Sequence, residues 1–150
     1  MNIDKAIKQK AFKNEHQKAT VNLIFTVSWL QEKQKAIFEP HDLTPQQFNI
    51  LRILRGSKFP LSTMDIRDRM LDKMSDTSRL VARLEKKKLV EKVLNDKDHR
   101  LVDVTISERG RELLSRLDKQ DDELIGIISN ISVKEAEVLN KLLDKIRNKK

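Results

Sequence analysis

MSDTSRLVARLEKKKLVEKVLNDKDHRLVDVTIS, residues 74–107, changes its hydrophobic period halfway along. Up to Lys87 the spacing is helical. Leu80, Val81 and Leu84 share one face, with Thr77 a turn before them, while Arg79, Ala82, Arg83 and Lys86 take the other. Ser75 is the N-cap candidate and the helix is expected over 76–87. Beyond it, Val90, Val93, Val102, Val104, Thr105 and Ile106 give strand propensity on either side of a polar tip, NDKDHR. Strands are expected over 89–94 and 101–107. A hairpin this short does not stand alone in water, so it leans on the helices before it.

Upstream, Leu61-Ser62 reads as a very short strand leading into a helix over 63–71, with Ser62 as N-cap and Asp65 as its capping-box partner. Met64, Ile66, Met70 and Leu71 are expected to point inward from it. Two short helices joined by a brief turn, the second one basic, make a helix-turn-helix, and the hairpin adds a wing. Before this, Thr44, Pro45 and Gln47 open a strongly apolar helix over 45–55, stopped at Gly56 and central to the core. The N-terminal stretch 4–38 reads as one amphipathic helix of roughly 50 Å, longer than so small a domain can cover alone. Downstream, one helix is expected from Ser107 to about Ser129, and Ser132 with Glu135 starts a last apolar helix. The terminal helices therefore suggest a second subunit, with its contact on 4–30 and 113–147.

The chain of 150 residues fits a single domain, 1–150, in which a DNA-facing lobe spans 45–107 and the dimerisation helices are 4–38 and 113–147. The fold class expected is mainly α with a small β-hairpin wing. Without cysteine there is no disulfide framework, no Cys-ligated zinc and no thiol switch. No apolar run approaches a membrane span and the N-terminus lacks a signal-peptide core, so a soluble, cytoplasmic protein is expected. Net charge is +8, and residues 55–100 hold 13 Lys and Arg against 8 Asp and Glu. Such a centre suits phosphate neutralisation, although a Lys-rich solubilising surface has the same composition. An enzyme is not expected: His16, His41 and His99 lack metal-ligand spacing, and no phosphate loop or activated nucleophile is visible. No metal or cofactor is implied.

If the centre binds double-stranded DNA, the first turn of the basic helix (Ser75, Asp76, Thr77, Ser78) is where base edges are reached, with Arg79, Arg83 and Lys86 forking onto guanine or clamping phosphate. On the wing, Lys97 adds charge and Arg100 is the candidate for a minor groove, held by a bidentate pair with Asp98. The competing reading is a winged-helix protein-interaction scaffold without DNA binding. Arginines at 79, 83 and 100 argue against it.

SRLVARLEKKKLVEK followed by DKDHRLVDVTISERG resembles the recognition helix and wing of the MarR family of bacterial transcriptional regulators. Asp98, Arg100, Val104, Ile106, Ser107 and Gly110 fill the family's wing pattern, and LTPQQFNILRIL resembles its helix after the first linker. Lys88 stands where that family commonly has a helix-capping glycine, and the turn LDKM also lacks a glycine. The resemblance implies a ligand-responsive repressor that binds a pseudo-palindromic operator as a homodimer, with recognition helices in major grooves and wings in minor grooves. It also implies a small-molecule effector, often aromatic or anionic, between the dimer helices and the DNA-binding lobe. Phe25, Trp29, Phe38, His41 and Phe48 are the candidate lining, with plain core packing as the alternative role.

Overall fold

In the computed structural model, which describes residues 1–148, local capping sets most helix starts. The order is α1 (Ile3–Ala6), α2 (Glu15–Phe38), a 3₁₀ turn (Glu39–His41), α3 (Pro45–Arg55), β1 (Leu61–Ser62), α4 (Thr63–Arg69), α5 (Thr77–Lys86), β2 (Val90–Leu94), β3 (Val102–Ile106), α6 (Glu108–Asp118), α7 (Asp121–Gly126) and α8 (Val133–Arg147). Thr44 with Gln47, Ser62 with Asp65 and Ser132 with Glu135 form complete capping boxes, as their spacing predicts. The fold is mainly helical with a small antiparallel sheet, as expected. Among the described residues no helix is long and apolar enough to cross a membrane.

Helix α3 is the hub. Ile50, Leu51 and Leu54 are buried in one cluster with Ile66 of α4, Val81 and Leu84 of α5, Val90 and Val104 of the sheet, and Leu114 and Leu117 of α6. The sheet order is β1-β3-β2, with Val90 opposite Ile106, Leu94 opposite Val102 and Leu61 opposite Val104. The two-residue β1 thus closes the wing's inner edge and ties it to the start of α4.

The junction behind α5 explains the Ser-x-x-Gly part of the wing motif. Lys88 itself adopts the left-handed conformation, φ 61°, so the missing glycine does not change how the helix ends. Leu89 N–H donates to Leu84 O at 3.0 Å and Lys88 N–H to Glu85 O at 2.9 Å, the two bonds of a Schellman-type stop. Ser107 then binds this corner from the other side. Its N–H donates to Leu89 O at 3.1 Å, its hydroxyl donates to Lys88 O at 2.7 Å, and it caps α6 by accepting from Gly110 N–H at 3.0 Å. Gly110 is required by close approach: a Cβ there would lie 2.3 Å from Leu89 O and 2.8 Å from Ile106 Cγ1.

Four expectations need correction. The 4–38 helix is broken: Lys8 turns left-handed (φ 55°) and Asn14, accepting from Gln17 N–H at 2.9 Å, starts α2 afresh. The remaining 24-residue helix spans roughly 36 Å, and the Lys18–Asp4 pair at 3.1 Å folds α1 back onto it. The 107–129 helix is also broken, because the polar run Asp118–Glu123 offers no inward side chain and Gln120 leaves the helical conformation. Within the expected 113–147 contact, Leu113, Leu114 and Leu117 are buried in their own chain's core, which moves any unsatisfied apolar surface to α7 and α8. Met64 and Leu71 are exposed rather than inward: Met64 lies about 200° around the helix from buried Ile66, and Leu71 falls beyond the end of α4.

Arg55 and Asp118 join the ends of α3 and α6 through a two-pronged ion pair, Nη1–Oδ2 2.8 Å and Nη2–Oδ1 3.0 Å. The hydrogen bonds from Arg55 hold the Asp118 carboxyl below the usual carboxylate range, aided by the charges of Arg55 and Arg52. A depressed carboxylate contributes stability above its unfolded pKa of about 3.9 and loses it as pH falls through the folded value. Because the pair is partly solvated, its worth is discounted to on the order of 0.5–1 kcal/mol. Asp118→Asn is therefore expected to cost about that much in urea unfolding at pH 7 and progressively less as the pH is lowered to 2. An equal loss at both pH values would show that the charge is irrelevant.

Candidate nucleic-acid interface

The first turn of α5 sorts its side chains by burial. Asp76, not Ser75, is the N-cap: its carboxylate accepts from Arg79 N–H at 3.1 Å and lies 3.6 Å from Arg79 Nε. Thr77 is only 4% exposed, so its assignment to a DNA contact is withdrawn; it packs beneath the helix on the same face as Val81 and Leu84. The Ser75 hydroxyl is likewise buried, although the residue lies at the rim of the turn; neither hydroxyl has a partner among the described residues. What α5 and its cap present outward is Asp76, Ser78, Arg79, Ala82, Arg83, Glu85 and Lys86. On this face Arg79, Arg83 and Lys86 outnumber the acids Asp76 and Glu85. Glu85 is also drawn toward Lys92 of β2, Oε1 to Nζ 3.7 Å.

The wing tip is organised by a residue the sequence reading treated only as a turn former. Asn95 Oδ1 accepts from Lys97 N–H at 2.9 Å and from Asp98 N–H at 3.0 Å, and its Nδ2 donates to Asp103 Oδ2 at 2.9 Å. This Asx turn fixes the path of the tip from within. Asn95 as a turn former was visible in the sequence; its cross-strand bond to Asp103 required the strand register.

Asp98 and Arg100 meet, but not in the bidentate fork expected. One oxygen, Asp98 Oδ1, accepts from both Arg100 N–H (3.0 Å) and Arg100 Nε (3.2 Å). The contact aims the side chain and spares the outer edge of the guanidinium. Arg100 is 91% exposed, with both Nη groups free of partners among the described residues. Lys97 and His99 are exposed beside it. An arginine held at its Nε and open at its Nη atoms is suited to a phosphate or to the negative potential of a narrow groove.

Of the five candidate pocket residues, only Phe38 and Phe48 come together in one groove. An open groove of about 850 Å³ runs between α2, α3 and the α4–α5 turn, lined in part by Leu30, Gln34, Phe38, Phe48, Arg52 and Lys73. Phe38 and Phe48 stack at its floor, ring centroids 4.3 Å apart, and the Arg52 guanidinium lies 5.7 Å from the Phe48 ring centre. Phe25 and Trp29 do not line it. At 100° per residue they fall on the opposite side of α2 from Val27, Leu30, Gln34 and Phe38. His41 is also outside, its Nε2 3.2 Å from Gln120 Oε1. Among the described residues no group of His, Asp or Glu is placed to hold a metal ion.

Helix α8 buries no residue in its own chain. Val138, Leu139, Leu142 and Ile146 are all exposed and fall within about 100° of one another around it. Ile24 and Val27 of α2 are exposed as well.

Residues 41–101 match the model of the MarR family, the stretch from the linker to the wing tip. Solved structures share the fold well beyond that stretch. A MarR transcription factor from Planctomyces limnophilus is 26% identical, with 89% of this chain and 98% of that chain covered and a TM-score of 0.66. A mutant MarR from E. coli complexed with operator DNA is 20% identical, covering 93% of this chain and 100% of that chain at a TM-score of 0.81. BpsR of Bordetella bronchiseptica, whose DNA binding is regulated by 6-hydroxynicotinic acid, is 19% identical, covering 94% and 100% at a TM-score of 0.80. No curated protein sequence matches the chain.

Proposed function

We propose that this chain, whose residues 41–101 match the MarR family model, is a transcriptional regulator of that family that binds double-stranded DNA as a homodimer. The observation that carries this reading is the cation set without a partner among the described residues on the exposed faces of the reading elements: Arg83 and Lys86 on α5 and the open Nη edge of Arg100 at the wing tip. A protein-interaction scaffold has no use for desolvatable arginines there, whereas DNA supplies both phosphates and guanine edges. The complex of the E. coli relative with operator DNA supports the same use of the fold. In this reading α5 enters a major groove, with Ser78, Arg79 and Arg83 nearest the bases and Asp76 orienting Arg79, while Lys86 and Lys97 neutralise backbone.

The homodimer reading rests on α8. Its Val138, Leu139, Leu142 and Ile146 form an exposed apolar stripe, the kind of surface that marks an interaction site, and a second copy offers the same stripe in return. The effector reading rests on the groove. Its stacked Phe38 and Phe48 suit an aromatic ring, and Arg52 and Lys73 suit an anionic substituent. Asn49 also lines this groove while accepting a hydrogen bond from Leu71 N–H at 2.9 Å, so an occupant would press directly on the turn that leads to α5. Loss of operator affinity on binding would make the protein a ligand-responsive repressor wherever its site overlaps a promoter.

The reading is tested by titrating salt against binding to mixed genomic DNA fragments. A DNA-binding protein with several phosphate contacts loses affinity steeply as salt rises. Absence of binding, or binding indifferent to salt, would favour the scaffold. Arg100→Ala is expected to weaken binding about tenfold, the worth of one wing contact at roughly 1–2 kcal/mol, and to leave the oligomeric state unchanged. Unchanged affinity would remove Arg100 from the interface.

A further inference from the structure

The run Lys86-Lys87-Lys88 looks like three equivalent phosphate contacts, but the fold gives each lysine a different place. Lys86 is on the exposed face of α5 and Lys88 makes the left-handed corner. Lys87 turns the other way. Its Nζ donates to the Asp42 backbone oxygen and to Gln47 Oε1 (3.2 Å), and lies 3.5 Å from Asp42 Oδ2. The side chain is 29% exposed, against 92% for its partner Asp42, so the ammonium is sunk into the linker while the carboxylate stays outside.

The site that receives it is built rather than accidental. Asp42 is in the left-handed conformation (φ 53°), which turns its carbonyl toward the C-terminal end of α5. Gln47 is 3% exposed, and its Oε1 also accepts from Thr44 N–H at 3.2 Å in the capping box that starts α3. One buried amide oxygen thus serves both the start of α3 and the end of α5. The linker 39–44 is also the chain's only covalent path from α2 to the reading lobe.

We infer that Lys87 is a positioning residue: it pins the C-terminal end of the recognition helix to the linker from α2, and so fixes how that helix is held relative to α2. The geometry stands by itself, and its consequence for operator spacing rests on the DNA-binding reading above. In a dimer, freedom at this joint becomes freedom in the separation of two recognition helices, which a fixed half-site spacing does not tolerate. Lys87 acts on DNA through position, and Lys86 through charge.

The chain has no cysteine, so Asn22→Cys on α2 and Ser78→Cys on α5 provide a unique pair of spin-label sites. With labelled chains diluted in unlabelled ones, the distance distribution within a chain is measured by pulsed electron spin resonance, without DNA. Lys87→Met is expected to broaden the distribution about twofold while the circular dichroism spectrum stays that of the folded protein. Lys86→Met is expected to leave the width unchanged and, on DNA, to reduce the salt slope by about one. Should Lys87→Met not fold, Lys87→Gln, whose shorter side chain loses the Asp42 contact, carries the same expectation. A wild-type width in the folded Lys87 variant, or equal broadening in Lys86→Met, overturns the inference. If the wild-type chain binds no DNA, the functional reading fails while the distance result still decides the role of Lys87.

Discussion

Replacing Arg79 and Arg83 together by alanine is expected to lower DNA affinity by about 10³-fold, to the level of non-specific binding. Each arginine, whether it forks onto a guanine or clamps a phosphate, is worth roughly 1–3 kcal/mol, so the two supply about 4 kcal/mol. They are one turn apart on the exposed face of α5, and the core face of that helix (Thr77, Val81, Leu84) is untouched. The change should therefore cost within about 0.5 kcal/mol of stability. Replacing Arg79 also releases Asp76, whose carboxylate is 3.6 Å from the guanidinium, and leaves that charge facing the phosphates. The measurement is a binding titration at several salt concentrations, alongside thermal unfolding. A specific site bound as tightly by the double variant as by the wild type would mean that α5 is not the reading element.

The second large effect concerns assembly. Leu139→Glu combined with Leu142→Glu is expected to convert the proposed dimer into monomers, raising the dissociation constant by more than about 10³-fold. Burying each leucine is worth roughly 1.5–3 kcal/mol, and each introduced carboxylate would be desolvated without a partner. The fold of the monomer should survive, because α8 buries nothing in its own chain and, of the described residues beyond Leu117, Leu124 alone packs against the core cluster. Sedimentation at micromolar concentration distinguishes the two states. DNA affinity should fall with assembly, since a single recognition helix and wing engage only one half-site. A variant that remains dimeric would place the interface elsewhere, with the exposed Ile24 and Val27 of α2 the next surface to alter.

The parts of this fold that were legible in the sequence depend on residues three or four positions apart. Thr44 with Gln47 and Ser62 with Asp65 specify their helix starts locally, and the change from helical to strand period marks where α5 gives way to the wing. Continuity over long stretches was less legible. Asn14 and Gln120 interrupt helices whose apolar spacing runs on through them, because a cap or a polar run outweighs the pattern on either side of it. Thr77 was misplaced by counting it with the first turn rather than with the face it shares with Val81, although its spacing pointed inward.

Site residues divide along the same line. Arg79, Arg83, Lys86 and Arg100 could be named from one helix face and one turn. Asn95 and Lys87 could not be understood that way, since their roles depend on contacts across the strand register and across 40 to 45 residues of chain. The aromatic set failed for a simpler reason. Phe25 and Trp29 lie on the side of α2 away from the groove, and only Phe38 and Phe48 reach it.

The account depends most on two copies of the reading lobe meeting one DNA duplex in a fixed relation. Selection of the preferred duplex from a random pool, followed by footprinting of the bound protein, tests it most directly. The expected result is two inverted half-sites centred about one helical turn apart, roughly 10 bp, both protected at the same protein concentration. Protection of a single unrepeated half-site, or of two half-sites that fill independently, would contradict it.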